Sequence, residues 1–275
     1  MGLPAPSTAG LALVTGASSG IGAAIAGELA SRGYALALVA RREERLRTLA
    51  TELNEAHGVD VAVIAADLSE ESGRDRLAEG LRGGSRVVDV LVNNAGYGSR
   101  GDFVTNPRER MVGMVKINIE AVVDLSARIL PGMVERGRGT ILNVASMAAF
   151  QPMPGAAVYS ASKSFVLSFS ESIRTELRGS GVTVTAVCPG PVKTEFTDAA
   201  GMGGVEEETP DAFWMSAEQI AAAAVDGADR DKRVVVPGTL NRATTFVGQH
   251  SPRAIALPVV QRLWGAATSR GSKED

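Results

Sequence analysis

The stretch LALVTGASSGIG (11–22) decides the fold. Its first five residues form a short, continuous apolar run, the pattern of a strand buried on both faces. A turn containing Gly16, Gly20 and Gly22 follows, and Ile21, Ile25 and Leu29 then recur every four residues, one stripe of a helix. Glycines in such a turn let a ligand approach the backbone, and the free N–H groups at the helix start face an anion. A strand–helix turn that merely needs small residues would read the same way. The position after the first strand of a βαβ unit favours a phosphate cradle.

Outward from this stretch, apolar runs alternate with helical patterns. ALALVA (35–40), VAVIAAD (61–67), VDVLVNN (88–94), GTILNVAS (139–146), VTVTAVCPG (182–190) and RVVVPG (233–238) read as further strands. Between them, 42–58 predicts a charged helix with Leu46, Leu49 and Leu53 inward and Gly58 at its end. Helices are also expected over 70–82, from Pro107 to Glu135 and over 157–178, and Ser216 with Gln219 gives a capping box for another. This alternation predicts an α/β, doubly wound (Rossmann) parallel sheet of about seven strands, with helices on both faces of a single domain. That domain is expected over 10–238, after an N-terminal extension (1–9) and before a C-terminal tail (239–275). Residues 194–215 break the rhythm and predict a long loop over the substrate.

Composition narrows the function classes. The chain has 275 residues, a net charge of −3 and 45% hydrophobic residues. No basic block points to nucleic acid, and no acidic tail points to a disordered protein. The single cysteine, Cys188, cannot form an internal disulfide, so a reducing, cytoplasmic setting is expected. The two histidines, His57 and His250, have no His or Cys at metal-ligand spacing, so no metal is expected. His57 is read as a solvated helix-end cation, and His250 has no visible partner. No signal peptide is evident, and no uninterrupted apolar run reaches the ~18 to 20 residues of a spanning helix.

The chain resembles the short-chain dehydrogenase/reductase family. TGASSGIG (15–22) has the T-G-x3-G-x-G spacing of its compact, single-domain branch. NNAG (93–96), Ser146 with Tyr159 and Lys163, and PGPVKT (189–194) follow in the family's order. The resemblance implies that Gly16, Ser18, Ser19, Gly20, Ile21 and Gly22 hold a nicotinamide dinucleotide. It implies that Asp67 and Leu68 meet the adenine, although Asp67 also suits a turn. Asn93 would steady the sheet, Asn94, Ala95 and Gly96 would line the cofactor cleft, and Pro189, Gly190, Val192 and Thr194 would bind the nicotinamide end. In such folds an acid at the end of the second strand suits NAD, whereas arginine suits the 2′-phosphate of NADP. Here Arg41 and Arg42 occupy that corner, so NADP (NADPH) is expected over NAD, unless both arginines merely open a solvated helix. Some NADP-dependent relatives carry a basic residue at the position of Ser19.

VYSASKSF (158–165) puts Tyr159 and Lys163 about one helical turn apart. An ordinary packed phenol with a solvated lysine is one reading. The other is proton transfer: reducing a carbonyl needs a proton on oxygen, and a free phenol with a pKa of about 10 is too weak an acid. An ammonium about 4 Å away supplies roughly 4 kcal/mol at an effective dielectric of 20, enough to lower the phenol by about three pKa units. Ser160, Ala161 and Ser162 are small, which leaves room beside the phenol. Ser146, at a strand's carboxyl end, is placed to polarise a substrate oxygen. Asn118 lies inside a predicted helix, where asparagine is disfavoured. By resemblance Asn118, Ser146, Tyr159 and Lys163 form the catalytic set, with a water at Asn118 relaying protons through Lys163.

Together these features predict an NADP-dependent oxidoreductase interconverting a hydrophobic carbonyl compound and its alcohol. A non-catalytic NADP-binding protein is the alternative. Phe196, Met202, Phe213 and Trp214, with Tyr97, Met147, Phe150 and Met153, either face the substrate or pack on the body. RAIALPVVQRLWGAA (253–267) is amphipathic and broken by Pro258, and docks on its own fold, a partner subunit or a membrane surface. The expected partners are a small-molecule substrate and further copies of the chain in a homodimer or homotetramer, with no nucleic acid and no membrane.

Overall fold

A computed structural model describes residues 2–192, 210–254 and 257–258. Seven strands form one parallel sheet: β1 Gly10–Thr15, β2 Leu36–Ala40, β3 Val61–Ala65, β4 Val87–Asn93, β5 Gly139–Val144, β6 Val182–Val187 and β7 Val234–Val235. Their spatial order is β3-β2-β1-β4-β5-β6-β7, so the winding reverses between β1 and β4. That is the doubly wound Rossmann arrangement, in which ligands bind outside the carboxyl ends of the strands at the reversal.

The continuous apolar runs divide by the strand period of two. Ala12, Val14, Leu36, Leu38, Val90, Val92, Leu142 and Val144 face one core, shared with helices α1 Gly20–Ser31, α2 Glu43–His57 and Ala217–Asp229. Leu11, Leu13, Ala37, Val39, Leu91 and Ile141 face the other, shared with α3 Glu71–Arg82 and α5 Ala121–Glu135. Helix α6 Ala157–Glu176 packs on the segment Arg108–Glu120 and buries Val166 and Leu167 in a third cluster that includes Cys188. The helix Ala217–Asp229 is α7, and its capping box is formed: Gln219 N–H donates to Ser216 Oγ at 3.2 Å and Ser216 N–H to Gln219 Oε1 at 3.0 Å. Gly58 ends α2 at φ +66°, as its sequence position predicts.

The expected helix from Pro107 to Glu135 differs in detail. Helix α4 Arg108–Val115 passes into a π turn, Lys116–Glu120, before α5. A π turn inserts one residue and marks functional positions more often than chance; Asn118 sits in it, buried. The third strand stops at Ala65, short of Asp67, because the Asp67 carboxylate closes a turn by accepting from Ser69 N–H at 3.0 Å and from Ser69 Oγ at 2.7 Å. His250 does have a partner: its Nδ1 lies 2.8 Å from the Phe246 carbonyl, with the two rings packed together.

Residues 2–9 run along the amino end of the sheet. The Tyr34 hydroxyl donates to the Pro4 carbonyl at 2.5 Å and Arg86 Nε to the Thr8 carbonyl at 3.0 Å. After β7, helix α8 Thr239–His250 packs on the short turns Met147–Phe150 and Asp211–Phe213. No helix among the described residues is long and apolar enough to cross a membrane.

One buried cation ties α3 to the π turn. Arg74 is 4% exposed and donates to the Leu68 carbonyl at 3.0 Å, to Asp124 at 3.0 Å and to Glu120 at 2.5 Å. Removing it strips charged hydrogen bonds from a dry position. Arg74→Met is expected to lower the free energy of urea unfolding by about 2 kcal/mol, and an unchanged midpoint contradicts that role.

Candidate active site

The carboxyl edge at the β1/β4 reversal is built by threonine and asparagine. Thr15, the last residue of β1, donates its hydroxyl to the Val92 carbonyl at 3.0 Å and accepts from the N–H groups of Asn94 at 2.9 Å and Ala95 at 3.0 Å. Asn94 Nδ2 returns to the Thr15 carbonyl at 2.9 Å. The glycine loop is thereby locked to the NNAG loop. Gly16 takes φ +66°, and a Cβ on Gly22 would lie 2.4 Å from both Asn94 Nδ2 and the Gly16 carbonyl, so side chains cannot stand there.

The first turn of α1 has no acidic residue, and Ser19 makes no side-chain cap. Its hydroxyl instead accepts from Arg42 Nη2 at 2.7 Å, while Ser18 Oγ accepts from Arg42 Nε at 3.1 Å. Arg42 reaches from the end of β2 across the glycine loop, so a cation stands against Ser19 after all, delivered from another element. Arg41 approaches Asp67 at 3.9 Å. Burial works to raise the Asp67 carboxyl, but hydrogen bonds from Ser69 and the charges of Arg41 and Lys116 outweigh it and hold the group below its usual range. The donor set at this corner, with uncapped N–H groups at the start of α1, fits the phosphates of a dinucleotide. The Leu68 side chain is buried in the core, which leaves its backbone for any contact with a ligand.

Asn118, Ser146, Tyr159 and Lys163 come together from the π turn, the end of β5 and α6. Asn118 is fully committed: Oδ1 accepts from Tyr97 N–H at 3.1 Å, and Nδ2 donates to the Tyr97 carbonyl at 3.0 Å and to Ser162 Oγ at 3.0 Å. Gly96 lies directly under this amide, where a Cβ would come within 2.6 Å of Asn118 Oδ1. Ser146 caps the turn Met147–Phe150 by accepting from Ala148 N–H at 3.1 Å, and its side chain works to lower the Tyr159 phenol.

Lys163 is 6% exposed, and Nζ donates to the Val144 carbonyl at 2.8 Å. It stands 6.0 Å from the centre of the Tyr159 ring. The expected lowering of the phenol by a close ammonium is not what the chain displays. Burial raises Tyr159 above its usual range, with Ser146 working against it. Burial lowers Lys163 to about 8, against the opposing effect of the Cys188 thiol. Burial also raises the Cys188 thiol to about 12, which leaves it an inert, packed group.

Other expected residues are placed differently. Ser160 and Ser162 are buried; Ser162 Oγ donates to the Tyr159 carbonyl at 2.7 Å while accepting from Asn118. Tyr97 turns onto α4, its hydroxyl donating to the Arg110 carbonyl at 2.8 Å. Met147, Phe150, Met153, Phe213 and Trp214 are half-buried. Pro189 accepts from Met147 N–H at 2.9 Å, and Val192 forms a parallel bridge to Met215. Thr194, Phe196 and Met202 lie outside the described residues.

A family model for short chain dehydrogenases matches residues 10–202. The chain belongs to the short-chain dehydrogenase family. It is 39% identical to a very-long-chain 3-oxoacyl-CoA reductase of Anas platyrhynchos, over 77% of this chain and 69% of that one. Among solved structures, a short-chain dehydrogenase of Sphingobium yanoikuyae in complex with NADPH superposes with a TM-score of 0.77 at 34% identity, covering 89% of this chain and 97% of that one. The bulky-bulky ketone specific alcohol dehydrogenase of Comamonas testosteroni gives 0.73 at 32% identity, covering 89% and 95%. The chain shares with this family an oxidoreductase scaffold. Two supporting residues of this short-chain dehydrogenase escaped sequence reading: Thr15 and Ser162. Each lies inside a quoted motif, but its partners are 77 and 44 residues away, and neither motif names them.

The lysine makes a signed prediction. Below about pH 8 the ammonium is charged in both folded and unfolded chains, and its burial penalty is present in full; between about 8 and 10.5 the folded lysine sheds its proton while the unfolded one keeps it, which relieves the penalty. The wild type is therefore expected to gain stability relative to Lys163→Met as pH rises through that window. Urea unfolding of both proteins across it checks this, and a constant difference contradicts the assignment.

Proposed function

We propose that this chain is an NADP-dependent oxidoreductase that interconverts a carbonyl compound and its alcohol, with Tyr159 as acid and base. The observation that carries the reading is a buried Lys163, anchored on the Val144 carbonyl at 2.8 Å, one helical turn from Tyr159 on α6, with Ser146 acting on the same phenol. All three lie at the sheet edge that also bears the glycine loop.

A bound nicotinamide supplies or takes up the hydride. Ser146 orients the substrate oxygen toward the phenol, and Tyr159 delivers its proton to that oxygen as the alkoxide develops, or withdraws it in the opposite direction. A phenol raised by burial holds its proton well, so stabilisation of the phenolate has to come from positive charge in the loaded site. Lys163 supplies one such charge and would hold the nicotinamide ribose. Asn118 keeps the Tyr97 backbone and Ser162 in register, which fixes α6 against the loop after β4.

NADP over NAD is supported by the reach of Arg42 to Ser18 and Ser19 and by Arg41 beside Asp67, a cationic corner suited to a 2′-phosphate. The NADPH complex of the Sphingobium yanoikuyae relative agrees with it. A hydrophobic substrate is supported by half-buried Met147, Phe150 and Met153 next to Ser146, and by the bulky ketones named for the Comamonas testosteroni relative. Exposed Val112, Val115 and Val123 on the α4–α5 segment, with Phe165 on α6, support a homodimer or homotetramer that covers them. The buried, unreactive Cys188 suits a reducing cytoplasm.

Tyr159→Phe is expected to cut turnover on a ketone panel by about 100- to 10,000-fold while NADPH affinity, read by fluorescence titration, stays near that of the wild type; retained turnover rejects the mechanism. Arg42→Ala is expected to weaken NADPH binding by at least about tenfold with little change for NADH. Equal losses for both cofactors reject the 2′-phosphate assignment.

A further inference from the structure

Asn241 lies beyond the residues matched by the family model, in the first turn of α8. It is 2% exposed. Its Nδ2 donates to the Pro237 carbonyl at 3.2 Å and to the Phe213 carbonyl at 3.3 Å, while its buried Oδ1 has no hydrogen-bond partner among the described residues. A buried amide that leaves one oxygen unsatisfied carries a cost, so the position has a use that offsets it.

The use lies on the face that Asn241 turns to Gly190. A Cβ on Gly190 would come within 2.6 Å of Asn241 Nδ2, 2.8 Å of Cγ and 2.9 Å of Oδ1, and these three atoms are its nearest obstacles. The amide plane is thus the surface on which the loop after β6 rests. That loop is fixed on two further sides: Pro189 accepts from Met147 N–H at 2.9 Å, and Pro191 accepts from Met215 N–H at 3.2 Å. Gly238, at φ +85°, starts α8, and its own Cβ position is 3.1 Å from both Asn241 Nδ2 and Met215 Sδ. One side chain therefore meets the loop after β6, the segment 213–215 and the end of β7.

We propose that Asn241 is a positioning residue for the nicotinamide end of the site, holding loop 188–192 in the shape that receives the ring. This rests on the dinucleotide reading above. Asn241 touches no reacting atom; it acts through Gly190 and the Phe213 carbonyl. A role confined to this end leaves the adenine end, some distance away at Arg41, Arg42 and Asp67, undisturbed.

The test is equilibrium binding by the full chain of two ligands: NADPH, and 2′-phospho-ADP-ribose, which is the same molecule without the nicotinamide ring. Asn241→Ala is expected to raise the dissociation constant for NADPH by about tenfold and to change that for 2′-phospho-ADP-ribose by less than about twofold. Gly190→Ala is expected to weaken NADPH as well. Gly190→Ala combined with Asn241→Ala is then expected to bind NADPH at least about threefold more tightly than Gly190→Ala alone, because removing the amide opens the space the methyl needs. Asn241→Ser, which keeps a small polar group, serves if the alanine variant does not fold. Equal weakening of both ligands, no weakening of either, or losses that simply multiply in the double variant would overturn the proposal while leaving the dinucleotide reading intact. A wild-type chain that binds neither NADPH nor NADH overturns both.

Discussion

The amide of Asn118 is the constraint on which the candidate site depends. Its oxygen and nitrogen grip both backbone groups of Tyr97, and its nitrogen also reaches Ser162 on α6. One side chain thus sets the distance between the loop after β4 and the helix that carries Tyr159 and Lys163. The grip works because the helix opens into a π turn at that point, which puts Asn118 into the interior, and because Gly96 has no side chain to obstruct it. A buried amide with its oxygen and both its N–H groups engaged is rigid, since any displacement leaves a polar group unsatisfied in a dry place.

Around this point the fold supplies position and the side chains supply charge. Parallel strands end together at one edge, and the reversal between β1 and β4 leaves that edge open. Thr15 and Asn94 sew the two central loops together there. Helices α5 and α6 are braced on the same side by a buried polar chain: Asn93 donates to Ser126 and to Asn143, which donates to Ser170. Such networks specify one packing more sharply than an apolar core does.

The electrostatics follow from burial more than from pairing. Lys163, Tyr159 and Cys188 are crowded at the end of β5 and β6, and burial pushes each toward its neutral form: the lysine down to about 8, the thiol up to about 12 and the phenol upward. In such a dry site the Lys163 charge, and any charge that a ligand brings, act strongly on the phenol. At the opposite end, Arg41 and Arg42 stay exposed and cationic at the surface, where an anion can be met before it is buried.

The local chain determined a great deal. Apolar runs of strand length, helix stripes every four residues, Gly58 as a stop and the Ser216–Gln219 box are signals carried by neighbouring residues, and the fold follows them because each reports a local backbone preference or a burial period. The order of TGASSGIG, NNAG, Ser146, Tyr159 and Lys163 likewise identified which residues converge. Only the tertiary structure decided how they meet: the π turn at Asn118, the reach of Arg42 to Ser19, the turning of Ser162 inward and of Tyr97 onto α4, and the seat of Gly190 on Asn241. Each is a contact between residues distant in the chain or a departure from regular helix, and no periodicity within one segment encodes the distance to another.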